Sequence, residues 1–203
     1  MNTISVMDYI GTFAFALSGA YLAIQYELDI FGIFVCALST ACGGGITRDV
    51  VMNVGVPRFF SSYTTMYLVI FATVIAIVTK SERWNKVMLT ADAIGLAVFA
   101  IDTGVRGIES GYNFPQVMFV SVMTAVGGGV IRDLLLNRVP FVLRKEVYAS
   151  AALAGTMVLW FVHPFLDMML ATYLSLAVVF GIRMWSLYRH IDLPVVHIKK
   201  QGE

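Results

Sequence analysis

Two copies of one short motif place charged residues inside apolar sequence. The pattern Gly-Gly-Gly-x-x-Arg-Asp occurs at residues 43–49 and again at residues 127–133. A charge near the centre of a bilayer costs at least about 2.5–3.5 kcal/mol, so Arg48, Asp49, Arg132 and Asp133 must contact protein or water. Neighbouring residues of a helix point about 100° apart, so we expect each arginine to be partnered from another helix. Such charges could fix the fold as ion pairs or line a path for ions.

Aspartates at helical spacing elsewhere in the chain are the candidate partners. One helix face, at positions i, i+3, i+7 and i+10, is formed by four residues: Asp92, Gly95, Phe99 and Asp102. The same face occurs earlier, formed by Asp8, Gly11, Phe15 and Ser18. Within or at the edge of the apolar segments, the five aspartates (Asp8, Asp49, Asp92, Asp102, Asp133) outnumber the two arginines (Arg48, Arg132). If the carboxylates are ionised, which burial opposes, this excess favours a cation over an anion.

The glycine triplets of the two motifs are expected to disturb the helices that contain them. The six residues are Gly43, Gly44, Gly45, Gly127, Gly128 and Gly129. Glycine in a helix interior costs about 1 kcal/mol relative to alanine, so the triplets predict a bend or a break. Carbonyl groups freed at a break are good ligands for a cation, provided that they line a cavity. The alternative is close helix packing by small residues.

Composition sets the class of protein. Of 203 residues, 59% are hydrophobic and 13% charged, whereas a soluble domain has about 25% charged residues. The sequence therefore predicts an all-α integral membrane protein and not an enzyme. The net charge of +1, with no basic run before the tail, argues against a nucleic-acid partner. Without a nucleotide loop, nucleophile motif or metal-ligand spacing, we expect no cofactor and no metal beyond a permeating ion.

Hydropathy divides the chain into seven predicted spans of one membrane domain, residues 1–203. The spans are residues 4–25, 30–55, 62–80, 87–107, 114–137, 147–163 and 167–188, followed by a short polar tail at 189–203. A shift of 84 residues superposes the first motif on the second and Asp8 on Asp92. Each repeat, at 4–80 and 87–163, has three spans, so the second must cross the membrane in the opposite direction. This inverted 3+3 repeat plus a seventh helix is typical of transport proteins, whose functional site lies at the repeat interface.

Basic residues predict the orientation, because Lys- and Arg-rich connections stay in the cytoplasm. One side collects ten: Lys80, Arg83, Lys86, Arg138, Arg144, Lys145, Arg183, Arg189, Lys199 and Lys200. The other side has two, Arg58 and Arg106. We therefore expect the N-terminus outside and the C-terminus in the cytoplasm. Asp8, Arg48, Asp49 and Asp102 would then lie in the outer half of the membrane, and Asp92, Arg132 and Asp133 in the inner half.

The doubled motif, with three spans per repeat and a seventh helix, resembles bacterial members of the trimeric intracellular cation (TRIC) channel family, also grouped as glycine transporter domain proteins. The resemblance covers about residues 4–188. It implies a homotrimer in the bacterial inner membrane, with a pore in each protomer that is lined by the first, second, fourth and fifth spans and passes potassium and sodium. Animal members bind phosphoinositide through a Lys-Glu-Val motif in the fourth span, which this fourth span lacks.

Two other classes of function stay open. Inverted repeats with broken helices also build carriers, so a secondary transporter of a small zwitterion such as glycine is the alternative. A structural membrane scaffold leaves the intramembrane charges unexplained. Monovalent cations and membrane lipid are the expected partners in the leading interpretation.

Overall fold

A computed structural model describes residues 3–79, 84–144 and 147–189, and in these ranges the chain is helical. The helices are α1 (Thr3–Gln25), α2 (Ile30–Val51), α3 (Tyr63–Thr79), α4 (Trp84–Glu109), α5 (Phe114–Leu135), α6 (Phe141–Arg144), α7 (Ala149–Val162) and α8 (Met168–Arg189), with a 3-10 turn at Arg58–Ser61. The predicted tail at 189–203 lies outside the described residues apart from Arg189.

In the part of the chain that the structure describes, five helices are long and apolar enough to cross a membrane: α1, α2, α4, α5 and α8. The apolar helices α3 and α7 have 17 and 14 residues. A perpendicular crossing needs about 20 residues, so length alone does not make α3 and α7 spans. The all-helical membrane class is confirmed, while the count of seven spans stays a prediction.

The ends of α2 and α5 have the same chemistry. Asp29 caps α2 by accepting the Gly32 N–H at 2.7 Å, and Asn113 caps α5 in a reciprocal pair with Gln116. Past the other end of each helix, Asn53 and Asn137 adopt left-handed backbone conformations with φ of 52° and 51°. These asparagines end the two helices at Val51 and Leu135, a few residues before the predicted ends. The caps and the asparagines both recur at the 84-residue offset (113 − 29 and 137 − 53).

Four helices form the centre of the fold. Helix α1 packs against α2 and α4, and α5 packs against the same two helices. Helix α3 covers α1, while α7 and α8 cover α4. The four central helices carry both motifs and both aspartate faces, so they bring the candidate residues together.

The predicted breaks at the glycine triplets are wrong. Helices α2 and α5 are continuous through residues 43–45 and 127–129, and the Gly43 carbonyl accepts a 2.8 Å hydrogen bond from the Thr47 hydroxyl. The glycines instead allow the two helices to cross in close contact. A methyl group on Gly44 would overlap the Thr124 carbonyl oxygen, and one on Gly128 would overlap that of Thr40. The close helix packing of the alternative interpretation is therefore present at the triplets.

Candidate functional site

Five residues from three helices form a buried charge group at one end of the centre, the Arg48 cluster. Arg48 Nη1 lies 3.2 Å from Asp8 Oδ1 and 3.1 Å from Asp102 Oδ2, and its Nε donates to Asp49 at 2.8 Å. Arg106 completes the cluster, with Nε 2.7 Å from Asp102 Oδ2 and Nη2 3.4 Å from Asp8 Oδ2. The Asp8 side chain is 23% exposed and that of Asp102 is fully buried, so Asp8 is the member nearest to solvent.

Four residues form an equivalent group at the other end, the Arg132 cluster. Arg132 Nη1 donates to Asp92 Oδ1 at 2.6 Å and to Ser18 Oγ at 2.7 Å, while Nε donates to Asp133 at 3.1 Å. The Ser18 hydroxyl in turn donates to Asp92 Oδ1 at 3.3 Å. All four residues are fully buried, so these charges depend on neighbouring protein groups and not on water.

The motif aspartates also connect each helix end to the segment that follows it. Asp49 Oδ2 accepts the backbone N–H of Arg58 at 2.9 Å, and Asp133 Oδ2 accepts that of Phe141 at 2.8 Å. Each aspartate thereby satisfies a backbone donor that would otherwise be unpaired at the start of a short helical turn. The motif thus fixes the connection after the helix as well as the arginine before it.

The predicted partners from other helices are present, but the expectation that neither arginine pairs with the aspartate beside it is wrong. Arg48 and Arg132 each pair with the aspartate beside them as well as with aspartates of α1 or α4. The 100° separation holds for the Cα–Cβ directions only, because a long arginine side chain can fold back along the helix surface. Each motif dipeptide therefore acts as a pair whose arginine also reaches a neighbouring helix.

A stacked pair of phenylalanines lies between the clusters. Asp8 and Ser18, which belong to different clusters, are ten residues apart on α1, or about 15 Å. Between them, the Phe15 ring stacks on that of Phe99 with a centroid distance of 5.3 Å and an interplanar angle of 20°. Both phenylalanines are buried, and Gly95 lies so close to the Phe15 ring that a methyl group would overlap it. This apolar pair separates the two polar groups.

The Arg48 cluster borders a small cavity. Its volume is about 40 Å³, and Asp8, Thr12, Gly45, Arg48 and Asp49 are among its lining residues. A cavity of this size has room for about one water molecule. Among the described residues, no group of three or more His, Cys, Asp or Glu side chains is arranged to hold a metal ion.

A family model matches both halves of the chain. The model, described as "Glycine transporter", matches residues 5–81 and again residues 89–164, two ranges that begin 84 residues apart (89 − 5). The chain belongs to this family, the TRIC family.

Proteins with similar sequences or structures cover nearly the whole chain. The UPF0126 inner membrane protein YadS of Escherichia coli K12 is 34% identical over 203 residues, covering 97% of each chain. The crystal structure of the TRIC trimeric intracellular cation channel orthologue from Rhodobacter sphaeroides has a TM-score of 0.88 at 27% identity, covering 94% of this chain and all of that one. A structure described as the structural basis for conductance through TRIC cation channels has a TM-score of 0.86 at 31% identity, covering 98% and 100%.

Two buried arginines of this TRIC family member were misplaced by sequence reasoning. The count of basic residues predicts that Arg106 and Arg183 lie in exposed connections, yet the structure buries both inside α4 and α8. The spacing of Arg106, four residues after Asp102, was a usable signal for an ion pair within a helix. Counting both arginines, five aspartates face four arginines within the spans, so the negative excess falls from three charges to one.

Proposed function

We propose that the protein is a cation channel in which each protomer conducts potassium and sodium. The observation that carries the proposal is the likeness to solved TRIC cation channels over at least 94% of the chain, at TM-scores of 0.85–0.88. The two clusters support it further, because buried charges within spans mark ion pathways in membrane proteins.

The proposed path runs between α1, α2, α4 and α5 and passes both clusters. Asp8, Asp49, Asp92, Asp102 and Asp133 attract the cation, with Ser18 as a neutral oxygen on the way. Arg48 and Arg132 hold the aspartates in place and limit how firmly a cation can bind. If all groups are ionised, three carboxylates face two arginines in the Arg48 cluster, which gives a net charge of −1. In the Arg132 cluster two carboxylates face Arg132, and Arg138 lies at a longer distance, 3.8 Å from Asp133.

Opening of the proposed path requires a change at the middle of the molecule. The stack of Phe15 on Phe99 and the contact between the glycine triplets close the space between the clusters. We propose that Gly43–Gly45 and Gly127–Gly129 line the path there. Because the triplets have no side chains, a small shift of α2 against α5 would suffice to open it.

The assembly and its placement are also proposals. The neighbour from Rhodobacter sphaeroides is described as trimeric, which supports a homotrimer surrounded by membrane lipid. The label of YadS supports a bacterial inner membrane location. We propose that α3 and α7 complete seven spans in an inverted 3+3+1 arrangement, with the N-terminus outside and the C-terminus in the cytoplasm.

A carrier for glycine is the second candidate, and the description of the matching family model favours it. A carrier and a channel differ in what they transport and how. A carrier exchanges glycine saturably, with one conformational cycle per molecule, whereas a channel passes ions in unitary current steps.

Purified protein in liposomes and planar bilayers tests the proposal. We expect unitary potassium currents and no saturable glycine exchange. Asp102→Asn should reduce the potassium current, while Glu109→Gln, which changes an exposed carboxylate of the same helix, should leave it unchanged. Glycine exchange without unitary currents would establish the carrier instead.

A further inference from the structure

Arg183 of α8 is a buried cation that forms no ion pair with any residue that the structure describes. The residue is 1% exposed, and its Nε and Nη2 atoms have no hydrogen-bond partner. The Arg183 guanidinium stacks over the Tyr148 ring, 4.7 Å from the ring centroid. A buried charge normally requires a partner, so something else must compensate this one.

The nearby Arg132 cluster does not provide that partner. Tyr148 lies between Arg183 and Arg132. Its ring stacks on Arg183. Its hydroxyl and Arg132 Nη2 both lie beside Gly129, at 3.0 Å and 3.7 Å from the position that a Cβ atom on this glycine would occupy. Arg132 binds one oxygen of each carboxylate of that cluster, and neither carboxylate forms an ion pair with Arg183.

Arg183 instead lines a cavity of about 310 Å³ near the end of α1, the start of α4 and the end of α8. Arg138, Gln25, Asn85 and Ser186 are its other polar lining residues, and no Asp or Glu of the described ranges lines it. The Gln25 amide donates to Asn85 Oδ1 at 2.9 Å, so the NH₂ group of Asn85 is a further donor at the wall. Arg138 Nε lies 3.8 Å from Asp133 Oδ1, too far for a hydrogen bond.

We propose that this cavity binds a phosphate oxyanion, either free phosphate or the headgroup phosphate of an anionic phospholipid. Two guanidinium groups line this cavity, and no carboxylate of the described ranges does. Arg183 of α8 forms no ion pair with a described residue, and Arg138 after α5 has a long one, 3.8 Å from Asp133. Guanidinium groups bind phosphate through paired hydrogen bonds, and a phosphate has enough oxygens for both arginines and a neutral donor. The site is separate from both clusters, and the proposal does not depend on channel activity.

Thermal unfolding of the purified full-length protein, in neutral detergent without anionic lipid, tests the site. Sodium phosphate should raise the unfolding temperature saturably relative to sodium chloride of equal ionic strength. Phosphate also stabilises proteins generally through exclusion from their surface, so the comparison between variants decides. Arg183→Gln should raise the half-saturating phosphate concentration at least about tenfold, while Arg189→Gln, an exposed arginine of the same helix, should not.

Arg138→Gln is the second variant, to be used if Arg183→Gln does not fold. It should also raise the phosphate concentration that gives half of the increase in unfolding temperature. If Arg183 were purely structural and packed on Tyr148, its substitution would lower the unfolding temperature equally with and without phosphate.

Nanodiscs of phosphatidylcholine, with or without phosphatidylglycerol, identify the source of the bound phosphate group. An Arg183-dependent shift with phosphatidylglycerol alone indicates the lipid headgroup, and a shift with inorganic phosphate alone indicates the free anion. The absence of both shifts would mean that water alone solvates Arg183, and would overturn the proposal.

Discussion

Arg48 of α2 and Asp102 of α4 form a 3.1 Å ion pair that joins the two halves of the chain. The position 84 residues before Asp102 is Ser18, which accepts a 2.7 Å hydrogen bond from Arg132. Each motif arginine therefore contacts one residue of the opposite half. The two clusters have the same plan, with a carboxylate in one replaced by a hydroxyl in the other.

The additional carboxylate of the Arg48 cluster is matched by an additional cation. Asp102 accepts a 2.7 Å hydrogen bond from Arg106 Nε, four residues further along α4. The position equivalent to Arg106 in the first half is Leu22 (106 − 84), which carries no charge. The clusters also differ in the longer contact of Arg138 with Asp133, 3.8 Å from Nε to Oδ1, because the equivalent position in the first half is Val54 (138 − 84). Exchanging both members of the Asp102–Arg106 pair should therefore bring the Arg48 cluster close to the plan of the Arg132 cluster.

We predict that Asp102→Ser and Arg106→Leu are strongly coupled. Either change alone leaves an imbalance of buried charge, so each should lower the unfolding temperature in detergent. The double variant restores the plan of the Arg132 cluster and should lose less than the sum, with a coupling energy of about 0.5–3 kcal/mol. Additive losses would show that the two residues do not act as a pair.

Arg132→Ala should be the most damaging of the arginine substitutions. Removal of one partner from a fully buried pair leaves an uncompensated charge and costs about 3–5 kcal/mol. Arg48→Ala should cost less, because Arg106 still contacts Asp8 and Asp102. Unfolding in detergent measures both, with the exposed Arg189→Ala as control. Arg132→Ala with unchanged stability and unchanged potassium flux would contradict the bracing role.

The sequence predicted the partners of the charged residues better than their geometry. Helical spacing placed Asp8 and Asp92 on faces that do reach the arginines, because periodicity fixes which side of a helix a residue occupies. Periodicity cannot predict that Arg48 folds back onto Asp49, since the rotamer of a long side chain depends on the surrounding packing. The sequence thus predicts the ion pairs between helices but not those between adjacent residues.

The glycine triplets and Arg183 show a second limit. Three glycines lower helix stability locally, but the contact of Gly44 with the Thr124 carbonyl makes a continuous helix the better solution. Propensity carries no information about a helix that is distant in sequence. Arg183 lies within the predicted span 167–188, so the sequence itself predicts that it is buried. The count of basic residues nevertheless places it in a connection between spans.

Orientation is testable with single cysteines. In a chain whose buried Cys36 and Cys42 are replaced by alanine, Ser81→Cys, beside Glu82, should react with a membrane-impermeant thiol reagent only after the cells are opened. Ser110→Cys, beside Glu109, should react in intact cells. The opposite labelling pattern would reverse the proposed topology.

The Phe15–Phe99 stack should keep the channel closed to cations if the path passes between the two clusters. Phe99→Leu keeps an apolar side chain but removes the flat surface that stacks on Phe15, so we expect more frequent channel opening with modest loss of stability. Phe161→Leu, a change at an exposed phenylalanine of α7, is the control. Single-channel recording measures the open probability. An unchanged open probability for Phe99→Leu would mean that the constriction of the closed path lies elsewhere.

Alanine at the glycine triplets should destabilise the protein, contrary to what helix propensity alone predicts. In Gly44→Ala and Gly128→Ala the added methyl group overlaps a backbone carbonyl of the crossing helix, which cannot move without separating α2 from α5. We expect losses of about 1–3 kcal/mol for each, the usual range for overpacking. Gly181→Ala in α8 is the matched control, because nothing lies within 4 Å of its added methyl group. There the gain in helix propensity is unopposed, and stability should rise by up to about 1 kcal/mol.

Thermal unfolding in detergent separates the destabilised triplet variants from the Gly181→Ala control. A Gly44→Ala, Gly128→Ala double variant that is as stable as Gly181→Ala would show that the helices part readily at the crossing, and undiminished potassium flux through that variant would exclude the triplets from the constriction.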